Sequence, residues 1–187
     1  MLFCIGAGIL AVLVVYCLLG VKKAYGKGET LPPHLSITIW ILGIVHWLLV
    51  ILASFYSLWA LPFNRLAGLI TGSITGVIGL AIMIAGMIEF HSFRKMSGLE
   101  ASKLITAGIY RWSRNPQYGG SFILLFGISL IGRSILAFLF VILAIIVHHL
   151  YLILLEEPYL ERIFEEEYRL YKLRTPRYIG IPKEEIK

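Results

Sequence analysis

Apolar runs long enough to cross a bilayer follow one another along most of this chain, and no other feature narrows the fold so far. Residues 2–21, 36–61, 66–90 and 135–155 are almost free of charge. About 20 apolar residues span a hydrocarbon core of about 30 Å at about 1.5 Å of helix rise each. Inside lipid a backbone must satisfy its own N–H and C=O groups, so such runs are helices. A fifth run, 117–131, reaches only about 22 Å at the same rise. Gly132, Arg133 and Ser134 form a turn between it and 135–155. The two runs read as a short helical hairpin whose first arm starts at or below the membrane surface and leaves a polar recess there. Beyond Glu156, apolar residues recur at helical spacing among charges: Leu160, Ile163, Phe164, Tyr168 and Tyr171, with Pro176 as the stop. That spacing predicts an amphipathic C-terminal helix lying against the membrane or the loops. The expected fold is all-α: a polytopic membrane protein of about five transmembrane helices, in one domain over 1–187.

Charge sets the expected orientation. Charged residues make up 15% of the chain, against about 25% in soluble domains. All but Arg65 and Arg133 of the 17 Lys and Arg residues fall in the first loop, the loop 91–116 and the tail 156–187. Five spans put those three segments on one face, and basic loops stay in the cytosol. The N-terminus is then outside and the C-terminus cytosolic. The net charge of +6 faces an anionic leaflet, so no nucleic-acid partner is called for. The first run lacks a basic leader and a small-residue cleavage site, so it reads as a retained helix. Cys4 and Cys17, thirteen apart in that helix, cannot bond to each other. No Cys/His cluster has the spacing of a metal site.

Two polar stretches interrupt the apolar pattern. In 108–120, Arg111 and Arg114 carry charge to the membrane edge, Asn115 stands at an N-cap position and Pro116 suits a first helical turn. A helix start with arginines beside it favours an anionic group. The second stretch is Glu156-Glu157-Pro158. Because the hairpin arms are antiparallel, the two stretches meet on one surface, about 40 residues apart in sequence. The plainer reading is that the glutamates pair with Arg111 or Arg114. Gly68, Gly72 and Gly76, spaced by four, form a small-residue stripe for a neighbouring helix or for a homodimer. His46, His148 and His149 lie in or near spans, where a hydrogen bond to another helix is the ordinary role.

At these positions the chain resembles a family. Leu104-Ile105-Thr106-Ala107-Gly108-Ile109-Tyr110, Arg114-Asn115-Pro116-Gln117-Tyr118-Gly119, Glu156-Glu157-Pro158-Tyr159-Leu160, Phe164 with Tyr168 and Tyr171, and Pro176-Arg177 occur in that order. The pattern is similar to the phospholipid methyltransferase and isoprenylcysteine carboxyl methyltransferase superfamily, over roughly half the chain. The resemblance implies S-adenosylmethionine as methyl donor, bound on the cytosolic side. It implies a donor site of Leu104, Ile105, Tyr110, Asn115, Pro116, Gln117, Tyr118, Glu156 and Glu157. Asn115 and Glu157 are the expected catalytic residues, with Glu89 and His91 as further candidates to take a proton from an amine.

Three departures from the family pattern stand out, and the first two bear on the branch. Carboxyl methyltransferases have Arg-His-Pro where this chain has Arg114-Asn115-Pro116. They also carry a substrate-binding arginine four residues before the first glutamate, where this chain has Leu152. Both favour a phospholipid-type amine acceptor over a prenylcysteine carboxylate. The third is Glu165, where the family often has a glycine. Rival readings are an NADPH-dependent sterol or isoprenoid reductase, which shares an Arg-x-Pro-x-Tyr stretch, and a non-enzymatic transporter or scaffold. The adjacent glutamates speak against the first, and the clustering of polar residues at one face speaks against the second.

Overall fold

The computed structural model describes residues 1–183. The helices are α1 (Leu2–Gly26), α2 (Pro33–Phe55), α3 (Arg65–Ile88), the single turn α4 (Phe93–Met96), α5 (Pro116–Gly132), α6 (Ile135–Tyr151) and α7 (Glu157–Arg174). No strand forms among the described residues; Ala60 and Ser134 make one isolated bridge. α1, α2, α3 and the continuous rod of α6 and α7 are long and apolar enough to cross a membrane, while α5 is shorter at 17 residues. The chain is an all-α polytopic membrane protein.

Local chemistry sets the helix ends. Pro33 opens α2, as a residue without an N–H can. The Asn64 side chain accepts from Leu66 N at 2.7 Å and caps α3. The Ser134 hydroxyl accepts from Ala137 N and caps α6. The second run stops at Phe55, short of the expected 61. Residues beyond it turn back to meet the α5–α6 corner: Ser134 Oγ donates to Leu58 O at 2.8 Å and Leu61 N donates to Arg133 O at 2.7 Å.

The glycine stripe of α3 faces α5. Cβ atoms on Gly72 or Gly127 would each stand 2.6 Å from the other's carbonyl oxygen, and one on Gly79 would collide with Leu124 N. Backbones this close pack without side chains between them. The stripe is therefore occupied within the chain. It also revises the hairpin: α5 and α6 share a corner, but α5 lies chiefly along α3.

Leu10, Leu49, Val50, Ala53, Leu125, Ala137, Phe140 and Val141 join α1, α2, α5 and α6 in one core. His46 Nε2 donates to Phe140 O at 3.2 Å and ties α2 to α6. A second core, toward the loop end, joins α1 and α2 to α7 through Val21, Tyr25, Leu35 and Tyr159.

Between α6 and α7 the chain does not break. Leu152–Glu156 forms one π-type turn, and α7 continues to an interruption at Glu165, with φ 43° and ψ −118°. A π turn inserts a residue into the helical register and is common at functional sites. Here it sends the two adjacent glutamates to different surroundings.

Candidate functional site

A cavity open to the surface lies where the loop after α3, the start of α5 and the π turn converge. Leu104, Ile105, Tyr110, Asn115, Glu156 and Glu157 line it. Pro116, Gln117 and Tyr118 are not among its walls. Pro116 is fully buried, the Gln117 backbone packs on Gly86, and the Tyr118 ring lies 3.9 Å from that of His148.

The two glutamates differ in state. Glu157 accepts from Arg177 Nε at 2.6 Å and Nη2 at 2.9 Å, and Arg114 Nη1 stands 3.1 Å away. Burial pushes the Glu157 carboxyl up, but the Arg177 hydrogen bond and the charges of Arg114 and Arg177 outweigh it and hold it below the ordinary range. The expected ion pair with Arg114 is present. The second arginine is Arg177, not Arg111.

Glu156 has no cation beside it among the described residues. Its Oε2 is buried without a hydrogen-bond partner. Burial pushes its carboxyl up to about 7; the Tyr151 hydroxyl lowers it, and the charge of Glu157 raises it. A buried acceptor in a cavity wall with no donor of its own suits a ligand that brings one.

Backbone contacts with the C-terminal segment hold 111–115 in place. Arg114 N donates to Pro176 O at 3.0 Å, and Asn115 Nδ2 donates to Arg177 O at 3.2 Å. Gly180 N donates to Trp112 O at 3.0 Å. The Asn115 side chain thus does not cap α5, although the residue stands at the cap position. It is fixed from the other side, by the tail.

Several walls escape a sequence reading. Tyr25, at the end of α1, lines the cavity and stacks on Tyr159, with centroids 3.9 Å apart and planes at 7°. Arg162 holds that helix end by donating to Tyr25 O and Gly26 O. In the sequence Tyr25 is one more interfacial aromatic. Leu152, 1% exposed, faces the cavity, so no cation stands at that position. Tyr168 and Tyr171 close the far side; Tyr171 donates to Tyr110 O at 2.7 Å. Glu89 and His91 do not line the cavity. The Glu89 carboxylate packs against Gly108, which keeps a positive φ of 54° and has no room for a Cβ, and His91 Nδ1 bonds the Glu89 carbonyl.

A family model described as phospholipid methyltransferase matches residues 64–167, more than half of the chain. The chain belongs to the phospholipid methyltransferase family. No curated protein and no solved structure matches it significantly. The matched segment runs from the cap of α3 into α7, and membership makes the chain an integral membrane methyltransferase. In this phospholipid methyltransferase family member the cavity extends beyond the matched segment. Tyr25 precedes it; Tyr168, Tyr171 and the Arg177 that holds Glu157 follow it.

Proposed function

We propose that the cavity binds S-adenosylmethionine and that the protein methylates an amine on a membrane lipid. The observation that carries this reading is the unpaired, buried Oε2 of Glu156 in the wall of a mostly apolar and aromatic cavity. Ribose hydroxyls or the donor's ammonium would supply the missing hydrogen bond. Leu104, Ile105 and Tyr110 offer apolar and aromatic surface for the adenine. Pro116, Gln117 and Tyr118 stand behind this wall and support it.

When bound, the cofactor supplies an electrophilic methyl group on a sulfonium centre. The protein's own part is alignment and exclusion of water. Asn115, its amide oriented by the Arg177 carbonyl, and Glu156 face the incoming headgroup. Glu157 is locked between two arginines, which suits it to positioning more than to taking a proton. Glu156, ionising near 7, is the better acceptor for a proton released by an amine. The absence of a cation at Leu152 supports an amine over a carboxylate. The basic loops around the cavity support a cytosolic site and C-terminus, with the N-terminus across the membrane.

Calorimetry of S-adenosylhomocysteine with the detergent-purified protein tests the reading, with NADPH as control. Binding by the wild type that is lost in Glu156→Ala is expected. Unchanged affinity in a folded Glu156→Ala protein would refute the assignment, and binding of NADPH alone would favour a reductase.

A further inference from the structure

The C-terminal segment 175–182 follows the amphipathic helix and lies beyond the family-matched residues. It is irregular, yet it does not hang in water. The Tyr178 hydroxyl is hydrogen-bonded to His149 Nδ1 at 2.6 Å. His149 sits on α6, six residues before Leu155, which is roughly 9 Å inside the end of that apolar run by helix rise. It shares a helix face with Ile142 and Ile146 at i, i+4 and i+7. Both isoleucines are exposed and, in a membrane helix, face lipid. Through Tyr178 the segment thus touches the flank that the acyl chains already cover.

Its own side chains continue that flank. Ile179 is 57% exposed and Ile181 84%, and Trp112, joined to the segment by the Gly180 N bond to its carbonyl, is 52% exposed. In water these groups would form an apolar patch with no partner. Arg111 precedes Trp112, and Lys183 follows the segment. Exposed apolar residues flanked by basic ones are the composition that seats a segment at a headgroup boundary. Part of its backbone is paired with protein: Thr175 N donates to Tyr171 O, Gly180 N to Trp112 O, and Pro176 O and Arg177 O accept from Arg114 N and Asn115 Nδ2. Irregular chain exposed to lipid does not occur in the hydrocarbon core, so the backbone stays at the headgroup boundary against 111–115 and only its apolar side chains reach down.

We propose that 175–182 is a membrane-inserted strap, with Trp112, Ile179 and Ile181 seated among lipid acyl chains just beneath the headgroups of the leaflet that α5 enters. The occupant of this surface is lipid. The argument is continuity with the lipid-facing flank of α6 and does not depend on which donor or acceptor the cavity takes. The same strap holds 111–115 against the cavity, so the bilayer supports the site through it.

Site-directed spin labelling tests the proposal in the full chain. Ile179→Cys and Ile181→Cys are labelled one at a time in a Cys4→Ser, Cys17→Ser background and reconstituted in phosphatidylcholine–phosphatidylglycerol vesicles. Power saturation compares collision with oxygen, which partitions into lipid, and with a water-soluble nickel chelate. Labels at Ile142→Cys and Glu166→Cys supply the lipid and water references. Position 179 is expected to give an oxygen-favoured ratio close to that of 142. A nickel-favoured ratio at 179, close to that of 166, overturns the proposal whatever 181 shows. Should the labelled variants fail to fold, Trp112 fluorescence in a Trp40→Phe, Trp47→Phe, Trp59→Phe chain decides it. Quenching by lipids brominated high on the acyl chain is expected, and none would refute the insertion.

Discussion

Replacing Arg177 with methionine removes two charge-assisted hydrogen bonds, at 2.6 and 2.9 Å, from a carboxylate that is 9% exposed. Hydrogen bonds to charged groups contribute about 1.5–3 kcal/mol each where partners are buried. Arg177 is 31% exposed, and Glu157 keeps Arg114 at 3.1 Å, so solvent and the second arginine offset part of the sum and the net loss should fall below it, at about 2 kcal/mol. Glu157→Gln should cost more, roughly 3 kcal/mol, because it strands Arg114, only 7% exposed, beside a neutral amide. The double variant should recover part of the sum, with a coupling of about 1–2 kcal/mol. The assay is reversible unfolding in mixed micelles of rising dodecyl sulfate content, run on all four proteins. The pH dependence follows from the depressed Glu157 carboxyl. Its contribution is complete above the ordinary carboxylate range and fades as pH falls below that range, and Arg177→Met should move the loss to higher pH. Additivity within about 0.5 kcal/mol would show that the two residues do not act as a pair and would refute the reasoning.

The Glu156 carboxyl, held up near 7 by burial, gives a second pH signature. Its folded value exceeds its unfolded one, so the cost of burying it grows as pH rises from the ordinary carboxylate range to about 7 and is constant above. Affinity for S-adenosylhomocysteine should rise through the same window in wild type and stay flat in Glu156→Gln; parallel titrations would refute a role for its charge. Leu152→Arg should place a cation in the cavity wall and give measurable affinity for a prenylcysteine carboxylate, read by calorimetry; no gain in a folded variant would mean that more than this arginine separates the branches. Glu165→Gly should stabilise the protein by about 1 kcal/mol in mixed-micelle unfolding, because a φ of 43° suits glycine and strains a side chain; a loss of stability would refute that reading. Gly79→Ala should destabilise by about 2 kcal/mol or more through its clash with Leu124 N, while Gly8→Ala, with open space around its Cβ, should not; equal effects would overturn the α3–α5 contact.

Much of the fold was legible because the signals for it are local. Apolar length marked the spans, and Gly132 to Ser134 marked the corner. Antiparallel arms then brought Arg114 and Glu157 together, as their 3.1 Å separation shows. At Glu165, where the family often has a glycine, the structure shows a positive φ. Other features had no local mark. The stop of α2 at Phe55 depends on a bridge to Ser134 nearly 80 residues on. Nothing near Tyr25 in the sequence shows that Tyr159 will stack on it, and nothing near Arg177 shows that it will hold Glu157. Asn115 looked like a cap; its amide is taken by the Arg177 carbonyl instead.

The sequence by itself determined that this chain is a helical membrane protein and which stretches carry its polar chemistry. Hydropathy, helix period and the order of segments along one covalent chain are properties of neighbours, and lipid leaves a backbone few choices. Only the tertiary structure decided what each polar group is for. A π turn gives Glu157 to two arginines and leaves Oε2 of the preceding Glu156 without a partner in the cavity wall. The glycine stripe is closed by α5, and the tail is tied to 111–115 and, through Tyr178, to His149 of α6. These outcomes depend on which side chains meet after packing, and burial and pairing, unlike period, are not written in any one stretch.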